Sequence, residues 1–76
     1  MEFHFSKQAI KTLNRIDPSA KKRIRRGIEG IPMGDIKPFQ GSHGTFRLRV
    51  GDWRILFSYP APNVVLIEKI SPRGDV

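Results

Sequence analysis

Gly44-Thr45-Phe46-Arg47-Leu48-Arg49-Val50-Gly51-Asp52-Trp53-Arg54-Ile55-Leu56-Phe57 decides the fold. The stretch predicts a β-hairpin, because apolar residues alternate with arginines on both sides of Gly51-Asp52. Successive side chains of a strand point to opposite faces. Phe46, Leu48 and Val50 therefore share one face, and Arg47 and Arg49 the other. Arg54 lies out of phase with Trp53, Ile55 and Phe57, so it joins the arginine face. Gly51 at the first turn position suits a two-residue type II′ turn. Such a sheet has one apolar side, suited to packing, and one side of guanidinium groups, suited to a polyanion.

The rest of the chain is small: 76 residues, with 38% hydrophobic residues and no cysteine. A single domain spanning 1–76 is expected, burying roughly 60–65% of its unfolded surface. Without cysteine there is no disulfide and no thiolate metal ligand. No apolar run has the length of a membrane span, and Met1-Glu2-Phe3-His4-Phe5 lacks the basic start and apolar core of a signal peptide. A soluble, intracellular protein without a membrane partner is the expectation. Fourteen Lys and Arg against seven Asp and Glu give a net charge of +7. That excess predicts salt-sensitive attraction to phosphate backbones, and arginine in particular makes bidentate phosphate contacts and stacks on bases.

Upstream of the hairpin, Phe3 and Phe5 alternate with Glu2 and His4, predicting a short strand. Ser6 is a good N-cap. Ala9, Ile10, Leu13 and Ile16 then recur at helical spacing. Asp17-Pro18 ends that helix and opens the next, which runs to about Glu29 with Ala20, Ile24, Gly27 and Ile28 inward. Its other faces carry Lys21, Lys22, Arg23, Arg25 and Arg26, a candidate RNA-binding set; a merely solvated helix face is the plainer alternative. Residues 30–43, punctuated by glycine and proline, read as a surface loop. Pro60-Ala61-Pro62-Asn63 reads as a turn that proline keeps out of the sheet. Val64 to Ile70 is apolar on both phases through Ile67, predicting an interior strand. Ser71 onward reads as an exposed tail. The expectation is an α+β fold of order β-α-α-β-β-β, a two-helix hairpin packed on one face of an antiparallel sheet.

These residues carry a resemblance over nearly the whole chain. Phe5-Ser6 followed by Ala9 and Leu13, Gly34-Asp35-Ile36-Lys37-Pro38, the hairpin stretch, and Arg73-Gly74-Asp75-Val76 resemble the RelE/ParE superfamily of type II toxin–antitoxin toxins. The nearest branch is the RelE-like mRNA interferases. The resemblance implies a cytoplasmic bacterial toxin that cleaves mRNA in the ribosomal A site and inhibits translation. It also implies neutralisation by a cognate antitoxin, through which the complex would bind operator DNA. In the ribonuclease branch the chemistry is carried by basic residues at two alternate positions of the first hairpin strand, an arginine on the return strand and an arginine near the C-terminus. The matching positions are Arg47, Arg49, Arg54 and Arg73. Many members have lysine at the first or second position. They also often carry a tyrosine immediately after the segment ending here at Val76, so the resemblance leads us to expect impaired activity from a chain lacking that ring. The same scaffold serves gyrase-targeting, ParE-like toxins, and an inactive RNA-binding toxin that still binds its antitoxin is a third reading.

RNA supplies its own nucleophile, the 2′-hydroxyl, and the arginines suit the charge that develops on the phosphoryl oxygens. The resulting expectation is an endoribonuclease without metal or other cofactor. Arginine is too basic to act as a general base, and His4, His43 and Glu68 are the remaining titratable candidates. The face on which Glu68 lies is not decided by the sequence. Trp53 and Phe46 lie on the apolar phase, where core packing is the expectation.

Overall fold

The structure is a computed structural model that describes residues 1–72. It runs β1 (Glu2–Phe5), α1 (Lys7–Arg15), α2 (Pro18–Glu29), β2 (Asp35–Pro38), β3 (Thr45–Val50), β4 (Trp53–Ala61) and β5 (Val64–Pro72). The five strands form one sheet in the order β1-β5-β4-β3-β2. Both helices pack against it, giving the expected α+β class.

Each helix starts where its cap predicts. The Ser6 hydroxyl accepts a hydrogen bond from the Ala9 amide at 3.1 Å, and Asp17 Oδ2 accepts one from the Ala20 amide at 3.1 Å. Each cap satisfies an amide that the first helical turn leaves without a backbone partner. Ala9 on α1 and Ala20, Ile24 and Ile28 on α2 are buried. Ala9, Ile24 and Ile28 meet Leu48, Ile55, Phe57, Val65, Ile67 and Ile70 on one face of the sheet. Phe46 and Trp53 pack against this core, as their phase predicts. The hairpin pairs Val50 with Trp53, leaving Gly51-Asp52 as a two-residue turn. Gly51 has φ +58° and Asp52 is not in the left-handed region, the combination of a type II′ turn.

Four expectations are corrected. The sheet is mixed, not purely antiparallel: β1 pairs with β5 in parallel, Phe3 opposite Val65 and Phe5 opposite Ile67. A further strand, β2, lies within the stretch read as loop, pairing Ile36 with Leu48 and Lys37 with Arg47. The order is thus β-α-α-β-β-β-β. Pro60 and Ala61 belong to β4, and the turn is confined to Pro62-Asn63, because Ala61 already pairs with Val64. Asn63, at φ +66°, takes the left-handed position that asparagine tolerates in such a turn. Finally, β5 continues through Ser71 and Pro72, which pair with Arg54 and Trp53, and Ser71 is buried. As the sequence predicts, β5 is interior, lying between β1 and β4.

Candidate nucleic-acid interface

The helices cover one face of the sheet, and strand register assigns the residues of the other. Leu48, Ile55 and Ile70 align across β3, β4 and β5 and are all buried, so their row faces the helices. The adjacent rows must face away. One contains Arg49, Arg54 and Ser71; another contains Lys37, Arg47, Leu56 and Lys69. The open face is therefore cationic, as the hairpin alternation predicts.

Its three described arginines differ in their surroundings. The Arg47 side chain is only 16% exposed, and its Nη2 lies 3.4 Å from Asp35 Oδ1 on the edge strand β2. Arg49 is exposed and Arg54 half-buried, and the two stand directly opposite each other on β3 and β4. Directly opposed like charges repel across a sheet. The carboxylate registered with Arg49 is Asp35, and its hydrogen bond goes to Arg47. The Arg49–Arg54 pair is an arrangement that a bound phosphate stabilises and an empty face does not. Arg73, the fourth arginine of the expected set, lies outside the described residues.

The basic residues of α2 do not join this site. Gly27 and its neighbours pack on Leu48 and Val50, so α2 lies on the helix-covered side. Arg23 reaches the edge between the two sides: a Cβ on Gly51 would lie 3.7 Å from its Nη1. Lys21 and Arg25 instead line a groove of about 320 Å³ floored by Phe3, Phe5, Ile10 and Leu13. Lys22 and Arg26 are exposed. The five residues are thus spread over the hairpin tip, a helix surface and an apolar groove.

The structure decides where Glu68 lies. The β4–β5 register shifts between Leu56 and Phe57, which pair with Lys69 and Ile67, so Glu68 is the extra residue of a β-bulge. Bulges re-aim side chains, and this one lets Glu68 Oε2 accept a hydrogen bond from the Ser58 hydroxyl at 2.9 Å. Ser58 occupies the open-face row of His4, Leu66 and Thr45. The bulge is itself tied down: Ser6 Oγ donates to the Glu68 carbonyl at 2.7 Å while also capping α1. The sequence holds a trace of the bulge in the step of three from Ile67 to Ile70, but the unbroken apolar run before it masks the phase change. His43 is exposed in the loop before β3, and the His4 ring contacts Glu2 on β1. No group of three or more His, Asp or Glu among the described residues is placed to hold a metal. No helix among them is long and apolar enough to cross a membrane.

No protein-family model and no curated protein matches the sequence. Solved structures do match the fold. One is a RelB–RelE antitoxin–toxin complex from Methanococcus jannaschii, 25% identical, with a TM-score of 0.75 over 91% of this chain and 88% of that one. A second is a RelBE toxin–antitoxin complex from Mycobacterium tuberculosis, 23% identical, with a TM-score of 0.80 over 95% and 96%. The intact Escherichia coli RelBE complex aligns over 99% and 98% at 13% identity and a TM-score of 0.71. The chain has the RelE fold.

Proposed function

We propose that the chain is the toxin of a type II toxin–antitoxin pair and a ribosome-dependent endoribonuclease of the bacterial cytoplasm. The observation that carries this reading is the opposed Arg49–Arg54 pair on the uncovered face of a RelE-like sheet. The likeness to toxins solved with their antitoxins supports a cognate antitoxin as partner. By the same analogy, the antitoxin would carry the complex to operator DNA.

In the proposed reaction the substrate's 2′-hydroxyl attacks the adjacent phosphorus and the bond to the 5′-oxygen breaks. The products are a 2′,3′-cyclic phosphate and a 5′-hydroxyl. Arg49 and Arg54, held on neighbouring strands, stabilise the charge that grows on the phosphoryl oxygens. Arg47, fixed by Asp35, adds a positioned cation one row away, and Arg73 completes the set. Since guanidinium is a poor base, the ribosome contributes by holding the mRNA in a geometry ready for in-line attack. Of the basic residues of α2, Arg23 at the hairpin tip is the one placed to add a contact to RNA phosphates from this face.

Expression of the chain without antitoxin, followed by primer extension across a reporter mRNA, tests this reading. Cuts in phase with codons are expected, and Arg54→Ala and Arg73→Ala should abolish them while the domain stays folded. Growth arrest with stalled gyrase and intact mRNA would replace this reading with a gyrase poison. Absence of toxicity would leave an antitoxin-binding protein without activity.

A further inference from the structure

On a face dominated by guanidinium groups, Asp35 is engaged by Arg47 and Glu2 contacts His4, whereas a third carboxylate, Glu68, is held by a hydroxyl. Glu68 is turned toward the Ser58 hydroxyl by the β5 bulge, and Ser6 pins the bulge carbonyl from behind. An ionised carboxylate accepts hydrogen bonds and donates none. It repels phosphate, so its place on this face calls for a ligand group that donates.

Its position along the sheet sets it apart from the arginine pair. Ser58 lies four residues along β4 from Arg54, and its partner Thr45 four residues along β3 from Arg49. At about 3.3 Å per residue that is roughly 13 Å. Anchored at Ser58, the carboxylate is thus displaced along the strands from the Arg49–Arg54 pair, on the side where a nucleotide flanking the bound phosphate would lie. Leu66, the β5 partner of Ser58, and Leu56, two residues before it on β4, are half-buried on the same face and offer apolar surface for a base.

We propose that Glu68, oriented by Ser58, reads the Watson–Crick edge of a guanine flanking the scissile phosphate. This rests on the ribonuclease reading above. Guanine alone among the RNA bases presents two adjacent donors on that edge, N1–H and N2–H. Adenine and cytosine each pair one donor with an acceptor, and uracil's single donor stands between two acceptors. Ser58 occupies one of about four lone-pair positions on the carboxylate, leaving capacity for both guanine donors.

Sequencing the ends of cleaved transcripts from cells expressing the chain, its Glu68→Gln form and its Ser58→Ala form tests the proposal. The unsubstituted chain should enrich guanine at one fixed offset from the cut. Glu68→Gln offers one donor and one acceptor, matching adenine and cytosine, so enrichment at that offset should move to those bases while guanine falls at least about fivefold, the lower range of a bidentate base contact. Ser58→Ala frees the carboxylate to rotate and should weaken the guanine preference without creating a new one. An unchanged guanine profile in Glu68→Gln overturns the proposal, as does uniform loss of cutting with no shift in base preference. Cuts without guanine bias in the unsubstituted chain overturn it alone; absence of cuts overturns the ribonuclease reading as well.

Discussion

Gly27 marks a close approach of α2 to the sheet. A Cβ there would lie 2.5 Å from Val50 Cγ2, and valine's stiff χ1 leaves little room to yield. Alanine should gain about 1 kcal/mol of helix propensity and lose ~1–3 kcal/mol to overpacking. We expect Gly27→Ala to lower stability by roughly 1 kcal/mol in urea melts. In a Val50→Ala background the same change should become neutral or stabilising, which separates crowding from any other cause. Ser6 is the second residue on which much depends, because one hydroxyl caps α1 and holds the β5 bulge. Ser6→Ala should cost about 2 kcal/mol, a lost cap plus an unpaired half-buried carbonyl. Ser6→Thr, which keeps the hydroxyl, should recover most of it.

At the scale of elements, the β3–β4 hairpin is where stability and function pull apart. Arg49 and Arg54 oppose each other directly, so replacing one relieves a repulsion. Arg54→Gln should leave stability unchanged or raise it by up to ~0.5 kcal/mol, while RNA cleavage is lost. A variant that unfolded would show that Arg54 holds the hairpin together rather than waiting for a ligand. This hairpin was legible in the sequence because two independent signals agree there: period-two alternation and a glycine at the turn. The two helices were legible from Ser6, Asp17 and Pro18 together with their apolar stripes. β2 was not, because Asp35-Ile36-Lys37-Pro38 has one apolar residue and flanking glycine and proline. It is a strand because β3 offers it an edge, not because its own residues favour one. The parallel direction of β1 was equally hidden. The apolar run of β5 demands a neighbour on each side, but nothing in Phe3 and Phe5 says which way that neighbour runs. Pro60 looked like a strand breaker, yet it falls where β4 is exposed near its end, and proline is tolerated at sheet edges and bulges.

Across the whole molecule, the basic side chains of the described residues lie on both sides of the sheet, Arg47, Arg49 and Arg54 on the open face and the α2 set on the other. The open-face arginines were readable from phase alone. The dispersal of the α2 residues was not, since helical spacing does not say which neighbour each side chain meets. Lys21 and Arg25 border an apolar groove, while Arg23 lies against the hairpin turn. Binding to single-stranded RNA should weaken steeply with salt, by about 0.7 logarithmic units per tenfold salt for each phosphate contacted. Arg49→Gln should reduce that slope by about 0.7, and Lys37→Gln, at the far edge of the sheet, by less. Equal reductions from both would indicate diffuse attraction without a site.

The central claim is that the opposed arginines stabilise cleavage of ribosome-bound mRNA. The most direct measurement places the purified chain on ribosomes holding a defined codon in the A site and identifies the products. We expect a 2′,3′-cyclic phosphate and a 5′-hydroxyl from the unsubstituted chain, much slower cleavage of the same RNA free in solution, and a loss of at least about a hundredfold in Arg54→Gln. Cleavage by Arg54→Gln at the unsubstituted rate would contradict the account.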